Sequence, residues 1–257
     1  MLLMDIRTYL ARIKYSAPVR TDLETLRGLQ LAHMLSVPFE NLDIVPLGRT
    51  IQLDEISLWT KIIERRRGGF CYELNGLFAW LLKQIGFDVT YLNARVFNRE
   101  GKLGIEFDHL VLLVRFPGEH SPWLADVGFG DSFTEPLNFE DTGEQVQGLR
   151  AYRLEQMPQG RISWQRNYDG TWERQFFFYP QPRNFPSDYE AGCLYHQTSP
   201  QSSFTRGSIV SIATPNGRVT LEEKRLIVTK DCRREEKGVV NHEDYTLLLK
   251  EHFGIVL

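Results

Sequence analysis

The sequence predicts an α+β protein in which helices come first, antiparallel strands follow, and the end of the chain mixes the two. Through residue 88, apolar side chains recur at helical spacing. From residue 89, short β-branched or aromatic runs are separated by Gly, Pro, Asn and Asp turns, as in an antiparallel meander. Segregated helices and strands are typical of α+β rather than parallel α/β folds. We therefore expect three parts, residues 1–88, 89–206 and 207–257.

Composition and charge exclude several classes of protein. The 30 Lys and Arg residues are balanced by 33 Asp and Glu, and the net charge of −3 argues against a nucleic-acid or anionic-membrane binder. The longest apolar run, Leu77–Leu82, is far shorter than the ~20 residues that span a bilayer, and the N-terminus lacks a signal peptide's apolar region. Three cysteines without a Cys-x-x-Cys motif suit a reducing compartment. We expect a cytoplasmic protein with no nucleic-acid or membrane partner and no metal, and the sequence leaves the oligomeric state open.

Three helices are predicted in the first part. Thr21 and Glu24 form a capping box ahead of the first helix, with Thr at the N-cap and Glu three residues later. Ser57 can cap the second helix. The third begins near Cys71 and presents one apolar face until Gly86, a residue type that commonly ends helices in the left-handed conformation.

The second part predicts a meander of antiparallel strands, closed as a small barrel or packed as a sandwich. The runs that predict strands are Val89–Phe97, Leu110–Phe116, Trp123–Val127, Ala151–Leu154, Arg161–Gln165 and Thr171–Tyr179.

The last stretch of chain begins with an irregular segment and ends in a hairpin and a helix. Tyr179–Pro200 is rich in Pro and Tyr and predicts irregular backbone. Ser208–Ala213 and Arg218–Val228 flank Thr214–Gly217, a strong hairpin-turn signal. Asn241 is the predicted N-cap of the closing helix.

Cys71 is the candidate nucleophile. It comes just after Gly68 and Gly69, at the first turn of an amphipathic helix. The free N–H groups and the dipole at a helix start favour the thiolate, which is the nucleophilic form of cysteine. The glycines let the chain bend sharply and leave the sulfur accessible. Cys193 and Cys232 lack this setting, and we expect them to be structural.

His109 and Asp126 are candidates for the groups that activate such a nucleophile. His109 opens a strand that leads into the core, where its ring can serve a neighbouring element as a base. Asp126 stands between apolar neighbours in another strand, where a carboxylate is costly unless it is paired. If the two strands are adjacent, Asp126 can orient the imidazole. Asp108 is a rival partner, but strand alternation points it to the opposite face. The remaining histidines lie in helices or turns and are expected to be structural: His33, His120, His196, His242 and His252.

In their sequence context, these residues resemble the three signature blocks of the arylamine N-acetyltransferases. The blocks are Arg67–Glu73, the strand His109–Val114 and Asp126–Gly130. Upstream, Val37–Leu42 is similar to the family's Pro-Phe-Glu-Asn-Leu segment, and downstream Ala213–Leu221 is similar to its C-terminal hairpin. One block alone is not specific for the family, but five blocks in the same order over about 180 residues are.

The resemblance implies a helical bundle, an antiparallel β-barrel and a C-terminal α/β lid around a papain-like Cys-His-Asp core. Residues 1–88 would carry the nucleophile Cys71, and residues 89–206 the base His109 and the orienting Asp126. It also implies acetyl-coenzyme A as co-substrate and ping-pong transfer of its acetyl group to an arylamine, an arylhydrazine or an N-hydroxyarylamine.

Further positions match those of the family. Phe39 and Phe129 match aromatic positions that line the acceptor pocket. Gly128, Gly130 and Thr214 match positions near coenzyme A.

Charged residues near two of these blocks have expected roles of their own. Glu40 and Arg67 are expected to form a buried ion pair rather than to act in catalysis. Around the hairpin turn, Arg218, Lys224 and Arg225 offer cations for a diphosphate, the alternative being an ordinary solvated hairpin.

Three alternatives remain open from the sequence. An amide synthase releasing a polyketide from a carrier thioester would keep the fold and the cysteine. A Cys-His-Asp hydrolase or transglutaminase would share the catalytic groups. A catalytically silent binding module is disfavoured because all three triad positions hold competent residues.

Overall fold

The computed structural model describes residues 4–257 and has the expected α+β architecture of helices, a barrel-like antiparallel sheet and a mixed C-terminal end. None of the helices in this described range is long and apolar enough to cross a membrane. The elements of the first part are α1 (Ile6–Arg12), α2 (Leu23–Ser36), β1 (Phe39–Glu40), α3 (Glu55–Trp59) with a π-helical turn at Thr60–Glu64, and α4 (Cys71–Ile85).

The helix starts differ by a few residues from the prediction. Asp22, not Thr21, is the N-cap of α2, and its carboxylate accepts from the N–H of Thr25 at 2.9 Å. Thr21 instead donates its hydroxyl to the carbonyl of Ile85, at the far end of α4. Asp54 rather than Ser57 caps α3. The short side chain of Asp is as good an N-cap as Ser or Thr, so each helix start had two candidate caps, Thr21 or Asp22 for α2 and Asp54 or Ser57 for α3. The predicted end of α4 at Gly86 is confirmed, with φ of 111°.

The strands of the second part form one antiparallel sheet in the order β5-β4-β3-β2-β9-β8-β7-β6. Its two edges are joined by the side chain of Gln145, which accepts from the N–H of Asn138 at 2.7 Å and donates to the carbonyl of the same residue at 3.0 Å. The sheet is therefore a nearly closed barrel. Its strands are β2 (Asp88–Val96), β3 (His109–Arg115), β4 (Trp123–Ala125), β5 (Leu137–Asn138), β6 (Gln145–Gln147), β7 (Arg150–Met157), β8 (Gly160–Arg166) and β9 (Trp172–Arg183).

The prediction of irregular backbone for Tyr179–Pro200 is wrong for most of that segment. Strand β9 continues to Arg183, and helix α5 spans Glu190–Thr198. The prolines at 180 and 182 sit near the end of a strand, where a missing N–H is tolerated, so they did not end it. Helix α5 packs on the protein through its own residues Gly192, Cys193 and His196, which are buried, and this small and partly polar face gives only a weak periodic signal in the sequence.

The C-terminal end is a second antiparallel sheet covered by a helix. The run predicted as one strand, Arg218–Val228, is two strands separated by a turn at Glu223 and Lys224. The sheet order is β1-β10-β11-β12-β13, and the predicted helix begins after its N-cap Asn241. The elements are β10 (Ile209–Thr214), β11 (Gly217–Glu222), β12 (Arg225–Lys230), β13 (Arg233–Gly238) and α6 (His242–Phe253).

Three apolar clusters support these layers. The largest surrounds α4, in which every residue from Cys71 to Leu82 has less than a tenth of its surface exposed. A second fills the barrel, and a third lies between the C-terminal sheet and α6. Strand β1 belongs to the first part of the chain but pairs with β10, so the C-terminal sheet is anchored beside the start of α4. The division of the chain at residues 88 and 206 stays a prediction.

A buried network of charges fixes the chain just before α4. Arg67 contacts Glu40 at 2.7 Å and Asp43 at 3.3 Å, which confirms the expected Glu40–Arg67 ion pair. Lys61 continues the network, at 2.8 Å from both Asp43 and Glu73. Glu73 accepts in turn from the N–H of Phe70 at 3.1 Å, next to Cys71. Burial and the nearby Glu40 raise the pKa of Glu73 to about 7, although Lys61 opposes the shift.

Removing Arg67 should destabilise the fold strongly. We expect Arg67→Met to lower the free energy of unfolding by about 3–5 kcal/mol, because it leaves the buried Glu40 carboxylate without a cation. The double variant Arg67→Met with Glu40→Met should recover part of that loss. The exposed Arg234–Glu236 pair is the matched control, and Arg234→Met should change little. Urea unfolding measures all of these, and an equal effect at both sites would contradict the buried-network account.

Candidate active site

Cys71 is the first residue of α4, and two glycines allow the chain to bring it there. A Cβ at Gly68 would collide with the carbonyl oxygen of Pro38, and one at Gly69 would lie 2.8 Å from the Cβ of Glu73. The backbone can therefore pack against β1 and the helix start only if both positions are glycine. Cys71 is 4% exposed and borders a cleft.

His109 and Asp126 lie together, as the sequence predicted for adjacent strands. Strands β3 and β4 are paired, and although β4 ends at Ala125, one residue before Asp126, the His109 Nε2 lies 2.7 Å from Asp126 Oδ2. Both residues are buried, at 2% and 1% exposure. Since Asp126 occupies Nε2, Nδ1 is the ring nitrogen that remains to exchange a proton with a nucleophile. Asp108 precedes β3, so strand alternation does not decide where it points; it lines the same cleft as His109, and its carboxylate lies 3.0 Å from His196 Nε2.

Asn75 is a residue of this site that the sequence analysis missed. Its amide donates to Asp126 Oδ1 at 2.8 Å and to the carbonyl of Leu110 at 2.7 Å, and its oxygen accepts from the N–H of Val127 at 2.9 Å. Asn75 therefore connects α4 to β3, which carries His109, and to the segment directly after β4, which carries Asp126. One signal was available, because Asn75 follows Cys71 by four residues and so lies on the same helix face, in an otherwise apolar run.

A cleft of about 750 Å³ brings several of the predicted residues to one surface. Cys71 and His109 both line it, with Asp126 buried behind the imidazole. Phe39 and Phe129, expected to line an acceptor pocket, also line this cleft. The ring of Phe129 meets that of His109 edge-on, with centroids 5.3 Å apart. The cleft can hold a small aromatic molecule against the thiol and the imidazole.

Of the three positions expected near coenzyme A, Gly128, Gly130 and Thr214, only Gly128 lines the cleft that contains Cys71. Gly128 lines the cleft, and a Cβ there would lie 2.8 Å from the Cα of Cys71, so close packing on the nucleophile already requires glycine. Gly130 has φ of 91° and lines a neighbouring cavity of about 340 Å³. Thr214 ends β10 at the hairpin turn, and it is not among the described residues that line the cleft.

Two of the three cations named at the C-terminal hairpin, Arg218 and Arg225, are paired with carboxylates. Arg218 lies 3.1 Å from Asp131 and ties the hairpin to the barrel. Arg225 lies 2.7 Å from Glu222 and 3.3 Å from Glu236. A diphosphate would have to compete with these partners, which favours the alternative of an ordinary charged hairpin.

The surroundings of Cys71 do not by themselves favour a thiolate. Burial and the carboxylates of Asp108 and Asp126 raise the pKa of the Cys71 thiol, and a hydrogen bond from the N–H of Leu110 opposes them. The sulfur lies 3.9 Å from the backbone carbonyl oxygen of Asp108, which suits an S–H donor. A thiolate in this place therefore needs a cation beside it, and His109 can become that cation.

A second histidine at the cleft was also missed. His196, expected to be structural, is buried and lines the cleft; its Nε2 lies 3.0 Å from Asp108 Oδ1 but does not form a hydrogen bond with it. The only signal in the sequence is its place in the Pro- and Tyr-rich segment. In residues 4–257, no group of three or more His, Cys, Asp or Glu side chains could hold a metal ion.

Comparison with known proteins identifies the family. The family model described as N-acetyltransferase matches residues 22–257. The arylamine N-acetyltransferase of Mycolicibacterium smegmatis is 36% identical over 99% of this chain and 93% of its own length. Proansamycin X synthase of Amycolatopsis mediterranei is 28% identical over 97% of this chain and 96% of its own. The structure of the Mycobacterium marinum arylamine N-acetyltransferase in complex with CoA superposes with a TM-score of 0.91 at 32% identity, covering 98% of this chain and 93% of that one. The chain therefore belongs to the arylamine N-acetyltransferase family.

Proposed function

We propose that this enzyme transfers the acetyl group of acetyl-coenzyme A, through a thioester on Cys71, to an arylamine, an arylhydrazine or an N-hydroxyarylamine. The observation that carries the proposal is one cleft lined by Cys71 and His109, with the imidazole held by the buried Asp126. The names of the relatives and the CoA complex of the M. marinum enzyme support the donor and the acceptor class.

The first half-reaction loads the cysteine. Nδ1 of His109 takes the proton of the Cys71 thiol, and Asp126 stabilises the resulting imidazolium through Nε2. The thiolate attacks the thioester carbonyl of the donor, and first-turn N–H groups of α4, which have no carbonyl partner within the helix, can stabilise the oxyanion. The carbon–sulfur bond to coenzyme A breaks, and the imidazolium protonates the departing thiolate.

The second half-reaction transfers the acetyl group from Cys71 to the acceptor. The nitrogen or hydroxylamine oxygen of the acceptor attacks the acetyl-cysteine carbonyl, and His109 takes the proton that the acceptor loses. The Cys71 thiolate then leaves and recovers that proton, so the enzyme returns to its starting state. Phe39 and Phe129 supply apolar walls for the aromatic ring of the acceptor. The contacts of Gly128, Gly130 and Thr214 with coenzyme A, and a cytoplasmic location, stay predictions.

A carrier-bound acyl chain is the second candidate donor, since a synthase stands among the relatives. The identity to that synthase is lower than to the M. smegmatis acetyltransferase, which favours acetyl transfer. Acyl donors of increasing chain length, assayed with one arylamine, separate the two readings. A preference for a long chain over acetyl would replace the proposal.

Cys71 should be the only thiol needed for transfer. We expect Cys71→Ser to abolish acetylation of an arylamine while leaving the melting temperature nearly unchanged, because serine has the same side-chain shape and only a slightly smaller volume but is a much weaker nucleophile. Cys193→Ser and the exposed Cys232→Ser are the matched controls and should remain active. Release of free coenzyme A measures the rate, and an active Cys71→Ser enzyme would contradict the mechanism.

Loss of His109 should raise the pH at which the Cys71 thiol ionises. In the wild type, we expect alkylation of Cys71 by iodoacetamide to begin below the ~8.5 of a free thiol, since the imidazolium stabilises the thiolate. In His109→Gln, the N–H of Leu110 is left to oppose burial and the two carboxylates, so the profile should move to a pH above that of a free thiol. Profiles that coincide would show that the imidazole does not activate the sulfur.

Asp126→Asn should slow both half-reactions. An amide cannot stabilise the imidazolium and can hold the ring in the wrong tautomer, so we expect kcat to fall by on the order of a hundredfold or more. Asp131→Asn, in the same loop but paired with Arg218 and Arg150, is the control. A similar loss in both variants would point to loop damage instead.

Shortening Phe129 should weaken acceptor use selectively. Phe129→Ala removes a wall of the cleft beside His109, so the KM for an arylamine should rise more than the KM for acetyl-coenzyme A. Phe177→Ala is the control, because that half-buried ring packs against Tyr179. Equal changes in both KM values for Phe129→Ala would argue against an acceptor pocket at this place.

A further inference from the structure

A second cavity adjoins the cleft that contains Cys71. Its volume is about 340 Å³, and Phe39 and Phe129 line both spaces. One side of it is formed by Gln165 on β8 and Gln175 on β9, and the other by residues of β10 and β11. The mechanism above makes no use of this space, which we call the side cavity.

The side cavity begins close to the nucleophile. A Cβ on Gly128 would lie 2.8 Å from the Cα of Cys71, so this glycine packs directly on the nucleophile. Gly130 follows two residues later and lines the side cavity. Because two residues span at most about 7 Å, a para-substituted aromatic ring whose amine meets Cys71 is long enough to bring its substituent to the side cavity.

The side chain of Gln165 presents an unused hydrogen-bond acceptor to the side cavity. Gln165 is 3% exposed, and its Oε1 has no hydrogen-bond partner within residues 4–257. Its Nε2 donates to Asn167 Oδ1 at 3.3 Å, and Asn167 in turn donates its amide nitrogen to the Thr171 hydroxyl at 3.5 Å. These bonds fix which end of the Gln165 amide is which, because exchanging its ends would place two carbonyl oxygens against each other. The free atom is therefore an oxygen, which requires an N–H or O–H group.

The polar side chains on the C-terminal side of the cavity are paired with one another or with the barrel. Arg218 Nη1 donates to the Ser211 hydroxyl at 3.0 Å, and Arg218 Nε lies 3.1 Å from Asp131. The hydroxyls of Ser211 and Thr220 lie 2.8 Å apart. Of the buried side-chain atoms that line the cavity in the described part of the chain, Gln165 Oε1 is the one without a partner.

Charge and size argue against the nucleotide end of coenzyme A as the occupant. A diphosphate needs free cations, but Arg150 and Arg218 share Asp131, and the exposed Glu173 supplies the second negative charge that balances them. The volume of about 340 Å³ is at the lower end of the range for small-molecule sites. An uncharged group carried by an aromatic ring is the better match for amide, hydroxyl and phenyl side chains.

A buried oxygen of this kind can discriminate between two acceptors of the same size. A substituent that fills the side cavity excludes solvent from Gln165 Oε1. If the substituent carries an N–H group, it replaces the lost hydrogen bond. If it has the same shape but no donor, the oxygen stays buried without a partner, which costs binding free energy.

We propose that the side cavity receives the para substituent of the arylamine acceptor, and that Gln165 selects acceptors whose substituent carries a hydrogen-bond donor. The preferred substrate class is then uncharged arylamines with a carboxamide-like group opposite the amine. This inference rests on the proposed function, because it needs an acceptor that reacts at Cys71. Gln165 is a specificity-determining residue that acts through binding and does not touch the reacting atoms.

Two acceptors of nearly the same shape test the proposal. 4-Aminobenzamide carries an N–H donor where 4-aminoacetophenone carries a methyl group. The kcat/KM of each is measured with the wild type and with Gln165→Met, whose side chain has a similar length but no oxygen. The intrinsic reactivity of each amine is the same with both enzymes, so it cancels when the two preferences are divided. We expect the preference for the benzamide to be about tenfold larger in the wild type and to lie mainly in KM, since one hydrogen bond to a buried acceptor is lost.

Controls separate this role from damage to the enzyme. Gln156→Met, at an exposed position of β7, should keep the wild-type preference. Acetylation of Cys71 by acetyl-coenzyme A without an acceptor should have the same rate in Gln165→Met and the wild type. If Gln165→Met is too unstable to assay, the wild type alone decides. Its preference is then divided by the ratio of the two amines' uncatalysed rates with acetic anhydride, and a quotient near one would overturn the proposal.

The outcomes distinguish failure of this inference from failure of the proposed function. Equal preferences in the wild type and Gln165→Met would overturn the role of Gln165. A higher KM for acetyl-coenzyme A in Gln165→Met, with an unchanged preference, would assign the side cavity to the acetyl donor and also overturn it. In both cases the proposed function stands if wild-type Cys71 takes up an acetyl group and passes it to aniline. If wild-type Cys71 takes up none, the proposed function itself is wrong and this inference falls with it.

Discussion

The structure of the site depends on burying the carboxylate of Asp126 without leaving it unpaired. A charge in the protein interior is tolerated only when hydrogen bonds replace the lost water. Asp126 obtains three: from His109 on one oxygen, and from Asn75 and the N–H of Gly128 on the other. These donors come from β3, α4 and the loop after β4. Satisfying one carboxylate therefore fixes the relative positions of the elements that carry Cys71 and His109.

The same constraint explains why α4 is so deeply buried. Cys71 lies at its first turn and Asn75 one turn later on the same face, so the helix must meet the barrel along this side. At its N-terminal end, Lys61 is paired with Glu73 and Arg67 with Glu40, and these ion pairs fix the chain segment that leads into the helix. The nucleophile is thus anchored from the barrel side and from the bundle side. Rigid support of this kind is what a site needs if reacting groups are to keep their geometry.

Much of the fold and the three central residues could be predicted from the sequence because local signals were strong. The Gly-Gly approach, the helix after Cys71 and the lone acid at Asp126 each have a physical reason that is visible without a structure. Asn75 and His196 were missed because their positions at the site arise only from tertiary contacts over long sequence separations. His196, for example, lies far along the chain from Asp108, and no periodicity links them. The helix α5 was missed for a related reason, since burial of Gly192 and Cys193, rather than a periodic apolar face, holds it.

The most direct test is to find the acetyl group on the protein. The enzyme is incubated with acetyl-coenzyme A in the absence of any acceptor, digested at low pH and mapped by mass spectrometry. The account predicts one added acetyl group per chain, on the peptide that contains Cys71, and its disappearance when an arylamine is added before digestion. Transfer to the arylamine without any acetylated Cys71, or an acetyl group on Cys193 or Cys232 instead, would contradict the account.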